Sequence, residues 1–315
     1  MRDVLVTGGC GLVGSAVVRR LCAAGRDVTV FDRPDLAIDL LTGEESIHRV
    51  TGDVRVPGDL ARLSDGDWDL VFHLAAQTDV RASTQDPVVD FEVNAVGTLQ
   101  VLEWARAHGV RRFIYPSTVA VYDPGADMPL AETARVAPTS PYGASKLAGE
   151  SLARAWGRTY GLEVVIVRLF NAYGPGMTKY VIHDLVRKLE ADPHRLTVLG
   201  TGEQIRDYLH VRDVAAALDL VASRASPDSV FNLGSGQPVR IADLARMIVQ
   251  VMDLADVEVV FTGASWPGDI KEWYADPARL RELGWEPEVS LGDGLAETVA
   301  WMRAHPGQPS ASGAA

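Results

Sequence analysis

The chain has 315 residues, of which 47% are hydrophobic and 23% charged, and its formal net charge is −12 at pH 7. These proportions are those of an ordinary globular protein, which excludes a disordered or fibrous chain. The acidic balance argues against broad binding to nucleic acid or to anionic membranes, because both repel a negative surface.

The sequence also lacks the patterns of exported and membrane proteins. No run approaches the ~18 apolar residues that span a bilayer, and the opening residues MRDVLVTGG lead directly into strand-like sequence. Cys10 and Cys22 are the only cysteines. A disulfide scaffold and a structural zinc site are therefore disfavoured, and we expect a cytoplasmic protein without a bound metal.

Short β-branched runs alternate with helical patterns over about the first half of the chain. The predicted strands, mostly continuous apolar runs, are Asp3–Thr7, Asp27–Phe31, His48–Gly52, Asp69–Leu74, Arg111–Ser117 and Glu163–Leu169. The predicted helices are Leu12–Ala24, Pro57–Leu63, Pro87–His108 and Pro141–Tyr160. This alternation predicts right-handed βαβ units and an α/β fold with a Rossmann-type, doubly wound parallel sheet.

After Gly174 the regular alternation of strand and helix patterns ends, and the predicted strands become short and scattered. Helical patterns follow at Val181–Glu190, Val211–Ser223, Ile241–Met252 and Asp276–Leu283. We predict a first domain over residues 1–173 with a return at 211–235, and a smaller α/β substrate-binding lobe over 174–210 and 236–303. The small polar residues of 304–315 predict a disordered tail.

A glycine-rich segment joins the first predicted strand to the first predicted helix, with the sequence TGGCGLVG. Its residues Gly8, Gly11 and Gly14 allow a tight turn, close approach of a pyrophosphate to the backbone, and close helix–strand packing. The helix start at Leu12 and Val13 supplies amides and the positive end of the helix dipole. The spacing is GxxGxxG rather than GxGxxG, but its place between a strand and a helix is the context of a dinucleotide site.

Asp32 closes the second predicted strand, near the ~20-residue offset at which an acidic residue meets the adenosine ribose. A carboxylate there repels a 2′-phosphate, so NAD is favoured over NADP. Two alternatives stay open: Asp32 is only a turn residue before Arg33 and Pro34, or Arg33 accepts the phosphate of NADP.

A helix is predicted to begin in the segment TSPYGASK, because Ser140 is a favourable N-cap and Pro141 a favourable first-turn residue. Tyr142 and Lys146 then lie four residues apart on the same face. A nearby ammonium lowers the pKa of a tyrosine, which makes Tyr142 a candidate base near neutral pH. Such pairs are also common on helix surfaces, but the chain has only four lysines and one stands at this offset.

Together these motifs resemble the extended short-chain dehydrogenase/reductases, the nucleotide-sugar epimerase/dehydratase group. The resemblance covers about residues 1–303. It adds HLAA at 73–76, NAVGT at 94–98, STVAVY at 117–122, FNAYGPG at 170–176, GTGEQIRDYLHVRD at 200–213 and FNLGSG at 231–236. These motifs are jointly far more specific than any one of them.

The resemblance implies that Thr118, Tyr142 and Lys146 are catalytic. Tyr142 would take a proton from a sugar hydroxyl as hydride passes to the nicotinamide, while Thr118 polarises the oxygen and Lys146 holds the nicotinamide ribose. The alternative for Thr118 is a cap at the end of the fifth strand. The residues expected to bind NAD are Gly8, Gly11, Leu12, Val13, Gly14, Asp32, Asp53, Val54, Leu74, Ala75, Ala76, Asn94, Tyr142 and Lys146.

The residues expected to bind a nucleotide-diphosphate sugar are Gln77, Thr78, Thr118, Asn171, Lys179, Arg206 and Trp266. By resemblance, Asn171 and Arg206 contact the diphosphate end, although Arg206 can instead pair with its neighbour Asp207. Trp266 stands where many members of the family carry a second arginine clamp. The sequence therefore points to a specialised substrate or to a clamp from elsewhere, such as Lys179.

The positions after Thr118 bear on the reaction. Dehydratases of the family carry Asp-Glu directly after the catalytic Thr, and decarboxylases keep a Glu two positions after it, whereas this chain has Val119 and Ala120. Neither side chain transfers protons, which favours a reaction like that of UDP-glucose 4-epimerase. A dehydratase or decarboxylase, a net oxidoreductase and a non-catalytic dinucleotide-binding protein remain as alternatives.

The helices predicted at 87–108 and 141–160 carry more apolar residues than one sheet face needs. These residues are Phe91, Val101, Leu102, Trp104, Leu147, Leu152 and Trp156. In the family such helices pair across a two-fold axis into a four-helix bundle, so we expect a homodimer.

Overall fold

The structure is a computed structural model that describes residues 3–35, 39–44, 47–63, 66–263 and 270–306. Trp266 and the part of the expected tail beyond residue 306 lie outside the described residues.

The strands, in chain order, are β1 (Asp3–Thr7), β2 (Val28–Asp32), β3 (His48–Thr51), β4 (Trp68–His73), β5 (Arg112–Thr118), β6 (Glu163–Leu169), β7 (Asn171–Tyr173), β8 (Arg195–Val198), β9 (Ile205–Arg206), β10 (Tyr208–His210), β11 (Ser229–Leu233), β12 (Val239–Arg240), β13 (Glu258–Phe261) and β14 (Glu272–Trp273). The helices are α1 (Leu12–Ala23), α2 (Pro57–Leu60), α3 (Val80–Gln85), α4 (Pro87–Phe91), α5 (Gly97–Ala107), α6 (Pro141–Tyr160), α7 (Tyr180–Ala191), α8 (Val211–Arg224), α9 (Ile241–Val251), α10 (Ala278–Glu282) and α11 (Leu291–Ala304). A π-helical turn, Glu92–Val96, joins α4 to α5, and a 3-10 turn, Val119–Val121, follows β5.

Among the described residues, seven strands form one sheet in the order β3-β2-β1-β4-β5-β6-β11, and every neighbouring pair is parallel. Strand β1 lies between β2 and β4, so the chain winds outward from it in both directions. The carboxyl ends of β1 and β4 therefore form a topological switch point, where ligands bind in such sheets. The predicted α/β fold with a doubly wound parallel sheet is confirmed.

Helices cover both faces of this sheet. Val4 and Val6 of β1 pack with α1 and α8 on one face, and Leu5 packs with α5 and α6 on the other. Because successive strand residues point to opposite faces, a strand covered on both sides needs the continuous apolar run that the sequence shows. In the segment 211–235, α8 packs on the α1 face and β11 pairs with β6 at the sheet edge.

The second lobe has its own core, in which α7, α9 and α11 pack around β8 and β13. In α9 the buried residues Ile241, Leu244, Ala245 and Ile248 recur at helical spacing. Two smaller sheets, β7 with β10 and β12-β9-β14, lie beside this core. Among the described residues, no helix is both long and apolar enough to cross a membrane.

The structure departs from the predicted elements in two places near the switch point. The single helix predicted over 87–108 is interrupted by the π-helical turn, which contains the buried Asn94 and Ala95. The stretch before it, predicted as loop, contains α3, whose N-cap Asp79 accepts hydrogen bonds from the amides of Arg81 at 2.8 Å and Ala82 at 3.1 Å.

A second unpredicted helix, α11, lies near the end of the chain. Its N-cap is Ser290, whose hydroxyl accepts from the Asp293 amide at 3.1 Å. The helix ends at Ala304, the first residue of the expected tail.

Candidate functional site

The glycine loop is shaped by two positions that tolerate no side chain. Gly8 has φ +70°, and a Cβ there would lie 2.5 Å from the Ala75 nitrogen. A Cβ on Gly14 would lie 2.1 Å from the Gly8 carbonyl oxygen. The first glycine lets the loop after β4 approach β1, and the second lets α1 start directly against the loop.

The start of α1 lies open at the switch point. Its N-cap is Gly11, which has no side-chain cap, and its first turn holds no acidic residue. The first amides of a helix, here at Leu12 and Val13, have no acceptor within the helix and carry the positive end of its dipole. These open amides, together with the close-packed turn formed by Gly8 and Gly14, are suited to binding the pyrophosphate of a dinucleotide.

Asp32 at the end of β2 supports this loop. Its carboxylate accepts hydrogen bonds from the backbone amides of Cys10 and Arg33, each at 2.9 Å. Burial raises the pKa of Asp32, and the two amides oppose that shift. The Arg33 side chain points to Asp35, with a nitrogen–oxygen distance of 3.0 Å.

Asp53 and Val54 follow β3 at the same edge of the sheet. Asp53 pairs with Arg55 at 2.7 Å, and that partner holds the pKa of Asp53 below its usual value. Val54 is buried against Gly97 at the start of α5. A cavity of about 410 Å³ lies here, lined by residues including Arg33, Asp53 and Arg55.

The loop after β4 runs along the other side of β1. The Leu74 amide donates to the Thr7 carbonyl at 3.0 Å, and the Ala75 amide donates to the Thr7 hydroxyl at 3.3 Å. Leu74, Ala75 and Ala76 are all half-buried. They therefore lie beside Gly8, across the switch point from Asp32.

Helix α6 begins as predicted. The Ser140 hydroxyl accepts from the Gly143 amide at 3.1 Å, and Pro141 occupies the first turn. Tyr142 and Lys146 lie one turn apart and are only 9% and 3% exposed, so this is not a surface pair. The Lys146 ammonium lies 4.3 Å from the centre of the Tyr115 ring.

The expected direction of the Tyr142 shift is wrong. Burial raises the pKa of Tyr142 well above its usual value, Tyr180 raises it further, and a hydrogen bond with Thr118 opposes the change. Burial also lowers the pKa of Lys146 to about 7, although Glu150 and Asp90 act against it. Burial is the largest influence on both groups, so these residues by themselves keep the phenol protonated at neutral pH.

Thr118 forms the cap that was considered for it and also lies beside Tyr142. It is the N-cap of the 3-10 turn, and its hydroxyl accepts from the Ala120 amide at 3.2 Å. The same hydroxyl interacts with the Tyr142 phenol. Beside it, the Ser117 hydroxyl is buried without a hydrogen-bond partner in the part of the chain that the structure describes.

Asn94 and Gln77 lie together beneath the loop after β4, and both side chains bond to the protein. The Asn94 amide nitrogen donates to the Gln77 carbonyl at 2.9 Å, and its oxygen accepts from the Gln77 amide at 3.0 Å. The Gln77 side-chain nitrogen donates to the Asp79 carbonyl at 2.9 Å and to an Asp90 carboxylate oxygen at 3.1 Å. The geometry places both side chains in support of the loop.

Thr78 forms one of the contacts between the loop after β4 and the second lobe. The Lys179 ammonium donates to its hydroxyl at 2.7 Å, and the Tyr180 phenol donates to its carbonyl at 2.8 Å. Tyr180 has φ +72°, which is unusual for a residue other than glycine. Lys179 thus lies by the loop after β4, next to Tyr180.

Asn171 lies at the start of β7 and Arg206 on β9, in two different small sheets. The Asn171 amide group donates to the Asp207 carbonyl at 2.9 Å, and Arg206 donates to the Ile205 carbonyl at 2.8 Å. The Asp207 carboxylate is buried and accepts from the amides of Ser235, Gly236 and Ala275 at 2.7 to 3.0 Å. Its role is therefore to join β9 and β10 to the loop after β11.

Three residues that the motifs did not single out complete the site. Ser83 accepts from the Tyr142 amide at 3.2 Å, Tyr180 lies close to the Tyr142 phenol, and Asp90 lies beneath Gln77 and Asn94. Asp79, a favourable N-cap residue, is the local signal that could have identified the helix of Ser83, but no local pattern brings Tyr180 or Asp90 to Tyr142.

Comparison with known proteins agrees with this geometry. Residues 4–234 match the model of the NAD dependent epimerase/dehydratase family. A putative UDP-glucose 4-epimerase of Methanocaldococcus jannaschii is 31% identical over 95% of this chain and 98% of its own length.

Two solved structures show the same architecture. UDP-glucose 4-epimerase of Thermotoga maritima with UDP-glucose has a TM-score of 0.90 and 31% identity, over 96% of this chain and 99% of its own. The dTDP-glucose 4,6-dehydratase of Streptomyces venezuelae with NAD bound has a TM-score of 0.87 and 31% identity, over 98% of both chains. The two carry different activities on the same fold.

Proposed function

The chain belongs to the NAD-dependent epimerase/dehydratase family, and we propose that it is a nucleotide-sugar 4-epimerase that inverts a sugar carbon through a transient 4-ketosugar. The observation that carries this choice is the chemistry after Thr118. Val119 and Ala120 are apolar and buried, and neither can give or take a proton. Epimerisation needs no further acid or base, whereas loss of water from the ketosugar does.

NAD is the cofactor of this family, and the residues of this chain fit it. We assign the pyrophosphate to the cradle of Gly8 and Gly14 and the open amides of α1, and the adenosine ribose to Asp32. When bound, NAD supplies a reversible oxidant for one sugar carbon, so turnover consumes none of it.

The protein's own groups handle the proton. Tyr142 takes the hydroxyl proton from the sugar and returns it, and the Thr118 hydroxyl orients the same oxygen. Lys146, one turn further along α6, holds a positive charge beneath the phenol and favours its ionised form. Because burial raises the pKa of Tyr142, this charge is needed for Tyr142 to act as a base at neutral pH.

The substrate side is assigned from position. We place the diphosphate near Asn171 and Arg206 and the sugar between Tyr142 and Thr78. Arg206 offers paired donors that suit phosphate oxygens. Lys179, bonded to Thr78, adds a positive charge at the sugar end of the site.

The proposal is tested with a panel of UDP- and dTDP-linked sugars incubated with the enzyme and NAD, followed by NMR and mass analysis of the products. We expect a product of unchanged mass with inverted configuration at C4. A product lighter by one water would make the protein a dehydratase, and release of NADH equal to the sugar consumed would make it a net oxidoreductase. If no sugar is converted, the proposal is refuted, and the protein is better described as a non-catalytic dinucleotide-binding protein.

We predict a clear preference for NAD over NADP, because the Asp32 carboxylate repels a 2′-phosphate. Asp32→Asn should reduce the ratio of the NADP dissociation constant to the NAD dissociation constant by on the order of tenfold. The substitution removes the negative charge and keeps the shape of the side chain. The control is Asp243→Asn, a half-exposed carboxylate on α9 that pairs with Arg246 and should leave the ratio unchanged. Calorimetric titration measures all six affinities, and equal or tighter binding of NADP to the wild type would contradict the role of Asp32.

We also propose a homodimer that pairs through the two predicted helical segments, which form α4, α5 and α6, although the structure changes which residues can form the shared surface. Val101, Leu102 and Trp104 are buried within the subunit, in the core beneath α5. Among the described residues, four large apolar or aromatic side chains of these helices are exposed, namely Val88 at 65%, Val89 at 38% and Phe91 at 51% on α4 and Tyr160 at 53% at the end of α6. They are the candidates for the shared surface.

Phe91→Glu should therefore convert the dimer to monomer, because a charge buried at a shared apolar surface is costly. Leu199→Glu is the control, since Leu199 is exposed to a similar extent, 56%, in the second lobe. Light scattering at micromolar concentration gives the mass of each. A monomeric wild type, or a dimer that survives in the Phe91 variant, would refute this interface.

A further inference from the structure

A buried carboxylate lies behind the proposed catalytic pair. Asp90 of α4 is 0% exposed. One of its oxygens accepts from the side-chain amides of Gln77 and Asn94, each at 3.1 Å, and the other accepts from the Ser145 hydroxyl at 2.5 Å. Burial raises the pKa of Asp90, and its hydrogen bonds with Ser145 and Asn94 oppose that shift.

These three donors belong to three different parts of the site. Gln77 is in the loop after β4, Asn94 is in the π-helical turn, and Ser145 is on α6 directly before Lys146. Gln77 is also bonded to both the amide and the carbonyl of Asp79. One carboxylate therefore ties the sugar-side loop to the turn of α6 that carries Tyr142 and Lys146.

The charge of Asp90 also faces Lys146. The ionisable groups around this ammonium are Asp90 on α4, Glu150 and Tyr142 on α6, His73 on β4 and Tyr115 on β5.

Two of these groups contribute little net charge next to Lys146, because one is ion-paired and the other is neutral. Glu150 forms a two-bond ion pair with Arg168 at 2.9 and 2.8 Å. His73 bridges the hydroxyls of Thr7 and Thr98, and burial lowers its pKa to about 3, so it is neutral. The hydrogen-bond partners of Asp90, in contrast, are all neutral groups, which leaves its charge to act on Lys146.

We propose that Asp90 is a positioning residue of the reaction: it holds Gln77 and Ser145 in place and supplies the fixed negative charge that keeps Lys146 as an ammonium. This rests on the proposed function, in which Lys146 acts while positively charged. Asp90 touches neither the substrate nor the phenol in this role and acts through Ser145, Gln77 and Lys146.

The two parts of the role can be separated by substitution. Asp90→Asn removes the charge and keeps the size, and its oxygen can still accept from the amides of Gln77 and Asn94. Ser145→Ala keeps the charge and removes one bond to α6. Asp86→Asn is the matched control, because Asp86 is the exposed N-cap of the same helix and asparagine caps helices equally well.

The pH dependence of kcat shows whether Asp90 acts through its charge or only through the hydrogen bonds that hold Gln77 and Ser145 in place. A negative Asp90 raises the pKa of both Tyr142 and Lys146, so removing it lowers both. In Asp90→Asn we expect the whole pH profile to move towards acid by about one pH unit. We expect Ser145→Ala to lower kcat without moving the profile, and Asp86→Asn to match the wild type. A lower kcat with an unmoved profile in Asp90→Asn would overturn the charge role.

A second measurement does not depend on activity. Lys146 has its usual pKa of 10.5 in the unfolded chain and about 7 in the folded one. Between these values the unfolded chain binds more protons, so stability rises with pH through Lys146. In Asp90→Asn this rise should begin about one pH unit lower, and Lys146→Met should abolish it in either background.

Denaturant unfolding at a series of pH values, on the wild type, Asp90→Asn, Lys146→Met and the double variant, completes the test. If the rise in the free energy of unfolding begins at the same pH in the wild type and in Asp90→Asn, the coupling between Asp90 and Lys146 is refuted. This holds even if the enzyme epimerises sugars. If the wild type converts no sugar but the shift is present, the proposed function fails and the coupling of Asp90 to Lys146 stands.

Discussion

Tyr142→Phe should lower kcat for the true nucleotide sugar by about 10²–10⁴-fold, the range typical of a lost general base. The ring, the helix and the buried surroundings of Tyr142 are kept, so folding and NAD binding should persist. Thr118→Val should cost less, because a hydroxyl that orients one oxygen contributes about 1–3 kcal/mol. The matched control is Tyr160→Phe at the exposed end of the same helix, which should turn over like the wild type.

The measurement is a steady-state assay of the three variants, with NAD binding followed by calorimetry. If Tyr142→Phe keeps near wild-type turnover, the assignment of Tyr142, Lys146 and Thr118 fails together. If it loses NAD binding as well as turnover, the loss is structural and the assignment gains no support.

Gly14→Ala should weaken NAD binding by about 10–100-fold, because overpacking of this kind costs about 1–3 kcal/mol. The new methyl group would lie 2.1 Å from the Gly8 carbonyl oxygen. Backbone rather than a flexible side chain would have to move, and it is the backbone that forms the pyrophosphate cradle. The thermal unfolding temperature should fall as well, since the same contact joins α1 to the loop that follows β1.

Gly58→Ala is the control for this substitution. Gly58 lies in α2 with nothing within 4 Å of the added Cβ, so NAD binding should be unchanged and stability should not fall. Wild-type affinity for NAD in Gly14→Ala would show that the loop relaxes freely, and the assignment of the cradle would be wrong.

The local elements of the nucleotide-binding half are readable from the sequence because their causes are local. A strand covered on both faces needs a continuous apolar run, and β1 and β6 have the predicted bounds. The start of α6 follows from Ser140 and Pro141, and the helical period alone places Lys146 beneath Tyr142. The glycine loop is encoded locally at Gly14, which is needed for its contact with Gly8, whereas Gly8 is needed for a contact with Ala75 in the loop after β4.

Other features depend on which segments meet after folding. Asp90 and Ser145 are 55 residues apart in the chain, and Lys179 and Thr78 are 101 apart. No period or cap in either segment encodes such a meeting, which is why Asp90 and Tyr180 escaped the motif analysis.

The chemistry of the catalytic pair shows the same division. The sequence by itself determined that a tyrosine and a lysine share one face of a helix behind a dinucleotide loop, because spacing and capping are local. Only the tertiary structure decided their ionisation. Packing of α3, α4 and β5 against α6 buries both groups, and this desolvation raises the pKa of Tyr142 and lowers that of Lys146 to about 7. Burial is a property of the assembled molecule, so it reverses the shift that sequence spacing predicts for Tyr142.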